Sequence, residues 1–362
     1  MTRLLDQTYA IARRRFLDAA STTGAEVTSF PHPVSGREDE ELAIDVAVLG
    51  SADATNVLLF VSGTHGVEGY AGSALQSWWL DECSDHRPES LRVVLLHAFN
   101  PVGFSWVRRV NEDNVDVNRN FIDWVDVPGN VGYGDIADLL VPAIWDDETQ
   151  QMTTAALMEV AGEVGLGRFQ EIVSGGQYDH PTGIFYGGSG PVWSNRWMHE
   201  HLAEIVGGAQ RLGVVDLHTG LGPWGHGELI SHHAKGDPGY QRGTDWWGEV
   251  RSMHDGESVS AALSGDWLGA LDGLLPDVEV TSAALEFGTV DVFSVLQSLR
   301  ADAWLHACGD PTRNDASAIR AQVRASFVDD DPAWLEALIE RFSAVAGEAV
   351  QALSRSARRR QL

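Results

Sequence analysis

The stretch SGTHGVEG, residues 62 to 69, follows the apolar run NVLLFV and puts His65 three residues ahead of Glu68 among glycines. Farther along, His218 ends the apolar run VVDLH and Glu286 ends SAALE. A single histidine beside a strand is usually a satisfied structural residue. Two histidines and a carboxylate gathered from strand ends are a more specific object, because they form a hydrolytic Zn²⁺ set with one tetrahedral position left for water. A further glutamate can then take that water's proton. The glycines fit this reading, since a backbone that turns sharply to aim two short ligands at one ion needs conformations that Cβ-bearing residues resist.

A second polar stretch, RRVNEDNVDVNRNF at residues 108 to 121, carries the groups that a substrate would need. Asp116, Asn118 and Asn120 alternate, as residues on one side of an extended segment do. Arg119 can grip a carboxylate in a bidentate fork, and Arg108 or Arg109 can polarise a carbonyl. Taken without the His and Glu set, the same stretch reads as a surface turn with charge pairs.

These groups need a scaffold that brings strand ends together. ELAIDVAVLG, NVLLFVSG, LRVVLLHAF, VVDLHTG and SAALEFGT read as strands, and YAGSALQSWWLDE as a helix between the second and third. LLDQTYAIARRRFLDAA, with Leu4, Tyr9, Ile11, Phe16 and Leu17 at helical spacing, predicts an N-terminal helix, and residues 333 to 358 predict a closing helix after Pro332. This order predicts an α/β fold with a mixed, mostly parallel central sheet flanked by helices, and in such sheets functional groups gather where strands end. The expectation is one domain over residues 1 to 362, with its chemistry between about 40 and 300; no repeat or low-complexity linker divides it. SGGQYDHPTGIFYGGSGPVW, within residues 170 to 195, is expected to be a long binding loop.

Composition narrows the partners. A formal charge of −27 over 362 residues works against a phosphate backbone or an anionic membrane surface, so neither nucleic acid nor membrane is expected. With only Cys83 and Cys308 there is no disulfide framework or cysteine zinc site, and no stretch has the length of a membrane span or the form of an export signal. A cytoplasmic protein follows as the expectation; the number of subunits is left open.

The chain resembles the zinc carboxypeptidase superfamily, near its succinylglutamate desuccinylase and aspartoacylase branch. The resemblance rests on H-G-V-E at 65 to 68, D-V-N-R-N-F at 116 to 121, D-L-H at 216 to 218 and L-E-F-G at 285 to 288, and spans roughly residues 55 to 290. It implies one Zn²⁺ per chain on His65, Glu68 and His218, with Glu286 as general base and then general acid. Asn118 and Arg119 would hold a substrate carboxylate, and Asp116 would orient His65. The oxyanion arginine would be Arg108 or Arg109, with Arg109 preferred, and Tyr178 or Tyr186 would stand for the family's substrate-binding tyrosine. N-R-N-F looks like the peptidases, whereas D-L-H and E-F-G look like the deacylases.

Three other readings compete. GLGPWG at 220 to 225 satisfies a dinucleotide-binding pattern, but Pro223 and Trp224 crowd the place of the pyrophosphate. GGSGP at 187 to 191 lacks the last glycine of a serine-hydrolase elbow. A non-catalytic relative that keeps the fold for binding is the third. His180, His226, His232, His233 and His254 are left out of the metal set, and Trp106, Trp124, Trp193 and Trp224 are read as pocket or core aromatics. The expected activity is zinc-dependent hydrolysis of an amide bond in a short peptide or N-acyl amino acid with a free carboxylate.

Overall fold

The apolar runs form strands because their Val, Leu, Ile and Phe side chains can bury on both faces of one sheet. A computed structural model describes residues 5, 7–256, 258–313 and 316–359. Among these, β1 (Glu26–Pro31), β2 (Ala43–Leu49), β3 (Asn56–Ser62), β4 (Leu91–His97), β5 (Arg211–Trp224), β6 (Gly227–Ser231), β7 (Arg251–Ser252) and β8 (Glu279–Gly288) make one eight-stranded sheet in the order β1-β2-β4-β3-β5-β8-β6-β7. β4, β3, β5 and β8 run parallel through its centre. β1 and β2 on one side, and β6 on the other, join antiparallel. The mixed, mostly parallel α/β sheet expected from the sequence is the one found, as a single domain.

Helices cover both faces: α1 (Tyr9–Thr22), α2 (Gly69–Cys83), α3 (Pro101–Trp106), α4 (Tyr133–Leu140), α5 (Asp147–Val164), α6 (Leu166–Ser174), α7 (Trp193–Val206), α8 (Pro238–Trp247), α9 (Leu271–Leu274), α10 (Val292–Ala307), α11 (Ala316–Phe327) and α12 (Pro332–Arg359). β3 shows how the two layers divide, for its alternate residues serve opposite cores. Leu58 and Phe60 pack with residues of α2 and α12, whereas Val57, Leu59 and Val61 pack with Trp197, Met198 and Leu202 of α7.

The N-terminal helix begins at Tyr9, where Thr8 caps it by accepting from the Ile11 amide; Leu4, included in the expected helix, lies outside the described residues. The closing helix matches its expected span. Residues 170 to 195 are not one loop: α6 runs to Ser174, α7 starts at Trp193, and a bridge between Gln177 and Tyr186 ties the turns between them. α4, α5 and α6 form a helical lobe where the sequence pattern predicts no elements. Arg300 of α10 fastens that lobe. It is fully buried, donates to the carbonyls of Leu139 and Leu140 at 2.7 and 3.0 Å and to Thr153 Oγ1 at 2.7 Å, and lies over the Trp145 ring.

Candidate metal centre and substrate cavity

Three parallel strands deliver the site residues side by side. Ser62, the end of β3, pairs in register with Leu217 of β5, and His218 pairs with Glu286 of β8. After Ser62 the chain reverses through Gly63, at φ +70°, presents His65, and passes through the turn Gly66–Glu68 into α2. Only glycine fits at 66, because a Cβ there would run into the backbone of Gly103 and Phe104 in α3. His65 and Glu68 are thereby fixed above the strand ends.

The ligand atoms of His65, Glu68 and His218 lie within 4.8 Å of one another, and all three residues are buried. The two Nδ1 atoms face each other at 3.1 Å, and each stands 2.9 Å from an oxygen of Glu68. The far nitrogens meet carboxylates: His218 Nε2 is 2.7 Å from Asp216 Oδ2, and His65 Nε2 is 3.2 Å from Asp116 Oδ1. A cation held by these donors requires each histidine to carry its hydrogen on Nε2; Asp216 stands where that tautomer of His218 needs an acceptor, whereas His65 Nε2 faces both Asp116 and the Arg109 guanidinium. Glu68, Asp116, Asp216 and Glu286 also outnumber Arg109 and Arg119 in one buried region, so a divalent cation would offset charge that burial makes costly. The residues fit a metal.

The titrations carry the imprint of this crowding. Burial would raise the Glu68 carboxyl, but His65 and His218 outweigh it and hold the group well below the usual carboxylate range. Burial would lower His218, yet the Asp216 and Glu68 carboxylates raise it far above an ordinary histidine. Asp116 is likewise drawn down against its burial by Arg109, Arg119 and His65. Glu286 behaves differently: burial, then repulsion from Glu68, push it up to about 8. One of its oxygens accepts from the Leu221 amide at 3.0 Å, and its side chain lines a cavity of about 450 Å³ together with His65, Arg109, Asn118, Arg119 and His218.

Arg109 bridges the centre, donating to Asp116 at 3.0 Å and to Glu68 at 3.2 Å, with Nη2 2.7 Å from His65 Nε2. Arg108 points elsewhere, to Asp302 and Asn114 at 2.9 Å, and takes no part in the cavity. Arg119 is buried and largely engaged by the carbonyls of Ser174 and Asn118. Asn118 accepts from the Trp267 amide at 3.1 Å. The two tyrosines are also away from the cavity: the Tyr178 hydroxyl donates to the Arg119 carbonyl at 2.7 Å, and Tyr186 packs with Val115 and Val192 while its carbonyl accepts from the Asp116 amide. Both buttress the Asp116–Arg119 segment instead of facing a ligand.

Asp216, Phe185 and Asp266 also take part, although the sequence analysis assigns none of them a role. Asp216 orients His218 and is itself held by Thr64 Oγ1 at 2.8 Å and Trp267 Nε1 at 2.6 Å. Asp216 was findable, because a residue two before a ligand on a strand shares its face. Phe185, at φ 54°, lies 5.2 and 5.5 Å from the guanidinium carbons of Arg109 and Arg119. Asp266 also lines the cavity, its carboxyl raised by burial.

The competing motifs find other uses. GLGPWG finishes β5 and leads into β6, without the helix that a dinucleotide fold needs. GGSGP supplies the carbonyls of Gly187 and Gly190 to Asn120. His180, His226, His232, His233 and His254 join no metal group among the described residues, and Trp106, Trp124, Trp193 and Trp224 do not line the cavity. No helix of the described residues is long and apolar enough to cross a membrane.

Residues 6–341 match the family described as Protein of unknown function (DUF2817), and the chain belongs to that family. No curated protein matches its sequence. Its fold is similar to that of bovine thrombin-activatable fibrinolysis inhibitor, solved in complex with tick carboxypeptidase inhibitor, at a TM-score of 0.50 and 10% identity over 98% of this chain and 100% of that one. Carboxypeptidase A from Helicoverpa armigera aligns at 0.48 and 13% identity over 88% and 74%, and an aspartoacylase family protein from Mesorhizobium loti at 0.38 and 15% over 79% and 67%. The zinc carboxypeptidase-like fold implied by the four sequence blocks is borne out.

Proposed function

We propose that this member of the DUF2817 family is a zinc-dependent hydrolase of an amide bond in a short peptide or N-acyl amino acid that carries a free carboxylate, with residues 1 to 362 forming one hydrolase domain that works in the cytoplasm. The observation that carries the reading is the His65, Glu68 and His218 cluster, whose two histidines line one cavity together with Glu286 and Arg109. His65, Glu68 and His218 would hold one Zn²⁺ per chain, and Asp116 and Asp216 would keep the histidine hydrogens on Nε2. When bound, the ion supplies Lewis acidity that polarises a carbonyl and makes water a nucleophile near neutral pH.

The chain's own groups do the rest. The Glu286 carboxylate takes a proton from the attacking water as the new C–O bond forms at the carbonyl carbon. Arg109, which lines the cavity, donates hydrogen bonds to the oxygen where negative charge develops. Glu286 then gives the proton to the amide nitrogen as the C–N bond breaks, releasing a carboxylic acid and an amine. Asn118 and Arg119 would position the substrate carboxylate.

The test is a panel of dipeptides and N-acyl amino acids incubated with zinc-loaded protein, with released amine as the readout. Amine release that disappears in Glu286→Gln supports the reading. No release from any substrate, with metal bound, would leave a binding protein on the same fold.

A further inference from the structure

The polar groups of the cavity serve an amide and a carboxylate, and most of its wall serves neither. α5, α6 and α10 contribute Met158, Phe169, Val173, Leu296 and Leu299 among other lining residues, and none of those they contribute is charged. The polar side chains on this wall are two, and each already spends a hydrogen: Gln170 Nε2 donates to the Val259 carbonyl at 3.1 Å, and Ser174 Oγ to the Gln170 carbonyl at 2.8 Å. A peptide laid along such a wall would leave most of its buried amide groups without partners, and each one so left costs free energy. An alkyl chain has nothing to leave unsatisfied.

The cavity mouth extends this chemistry into solvent. Leu166, Val292, Met158 and Phe293 line the cavity and yet are 75%, 61%, 53% and 37% exposed. Contiguous exposed apolar side chains around an opening mark a binding surface more often than chance packing. A volume of about 450 Å³ is also more than one amino-acid side chain fills and lies in the usual range for a whole small ligand.

Resting on the amide-hydrolase reading of the same site, we propose that the substrate is an N-acyl amino acid with a long alkyl acyl chain. Its head lies by Asn118 and Arg119, and its tail against α5, α6 and α10. Water adds at the acyl carbonyl, the C–N bond breaks, the fatty acid leaves as one product, and the amino acid's nitrogen takes the proton.

Two measurements on zinc-loaded full-length protein test this. The first is kcat/KM for acetyl, octanoyl and lauroyl derivatives of one amino acid, together with apolar dipeptides; the second is calorimetric binding of dodecanoate, which needs no turnover. We expect kcat/KM to rise roughly 3-fold per methylene until the tail is accommodated, giving at least about 100-fold from acetyl to lauroyl. Dodecanoate should bind, and Leu166→Asp and Phe293→Asp, both at exposed positions, should each weaken it and cut the lauroyl-to-acetyl ratio by about 10-fold. Equal or better cleavage of the acetyl compound or the dipeptides overturns the inference while keeping the hydrolase. Dodecanoate binding lost in the two variants, with no compound hydrolysed, keeps the alkyl pocket and overturns the hydrolase.

Discussion

His218 Nε2 and Asp216 Oδ2 lie 2.7 Å apart on one strand, two residues from each other and therefore on one face of it. Thr64 and Trp267 fix the carboxylate from the other sides, so the imidazole has one orientation, with Nδ1 turned to Glu68 and His65. Replacing Asp216 by Asn removes the negative charge and one of the two acceptor oxygens that Thr64, Trp267 and the His218 Nε2 hydrogen share. Metal affinity should fall by about 10- to 100-fold, measured against a competing chromophoric chelator. An unchanged affinity would mean that the pair has no hold on the ligand tautomer.

Glu286→Gln keeps an oxygen able to accept from the Leu221 amide, so the strand end should remain in place. What it loses is the site that takes and returns a proton. Turnover should drop by about 10²–10⁴-fold with metal content unchanged. A variant that turns over at the wild-type rate would remove Glu286 from the mechanism.

The adjacent arginines should separate cleanly. Arg109→Lys loses the fork that spans Asp116 and Glu68, and with it the donors assigned to the developing oxyanion, and should lower kcat by about 10²–10³-fold. Arg108→Ala strips the partner from buried Asp302 and should cost roughly 3–5 kcal/mol of stability, read as a lower urea midpoint. The reverse assignment, with Arg108→Ala stable but inactive, would contradict the geometry.

Much of this site is legible in sequence because it lies at strand ends. The continuous apolar runs mark where β3 and β8 stop and how far the apolar part of β5 extends, and His65, Glu68, His218 and Glu286 are read directly from the ends of those runs. Which arginine faces the cavity is not local information: Arg108 is turned by Asp302, 194 positions later in the chain. Tyr178 and Tyr186 sit in the right neighbourhood, but one hydroxyl and one carbonyl are spent on the Asp116–Arg119 segment. The lobe of α4, α5 and α6 escapes the apolar pattern for two reasons: α5 exposes Met152 and Met158 and so shows no single clean apolar face, and α4 and α6, at eight and nine residues, are too short to stand out by periodicity.

Acid should destabilise the fold through buried histidines as well as through its carboxylates. Burial pushes His97, His232 and His306 down to about 4, whereas in the unfolded chain each titrates near 6.5. The unfolded state therefore binds protons first, and stability falls as pH drops from about 6.5 toward 4. His97 is buried, stacked on Phe16 and within 2.9 Å of Ser73 Oγ, so His97→Gln should flatten the fall in urea midpoint between pH 7.5 and 5. An identical slope in wild type and variant would contradict this assignment.

The most direct test of the account is metal content per chain on protein purified without chelator, with His65→Ala and His218→Ala alongside. The account predicts about one zinc per chain in the wild type and its loss in both variants. Wild-type protein that carries no zinc, and takes up none when it is supplied, would contradict it.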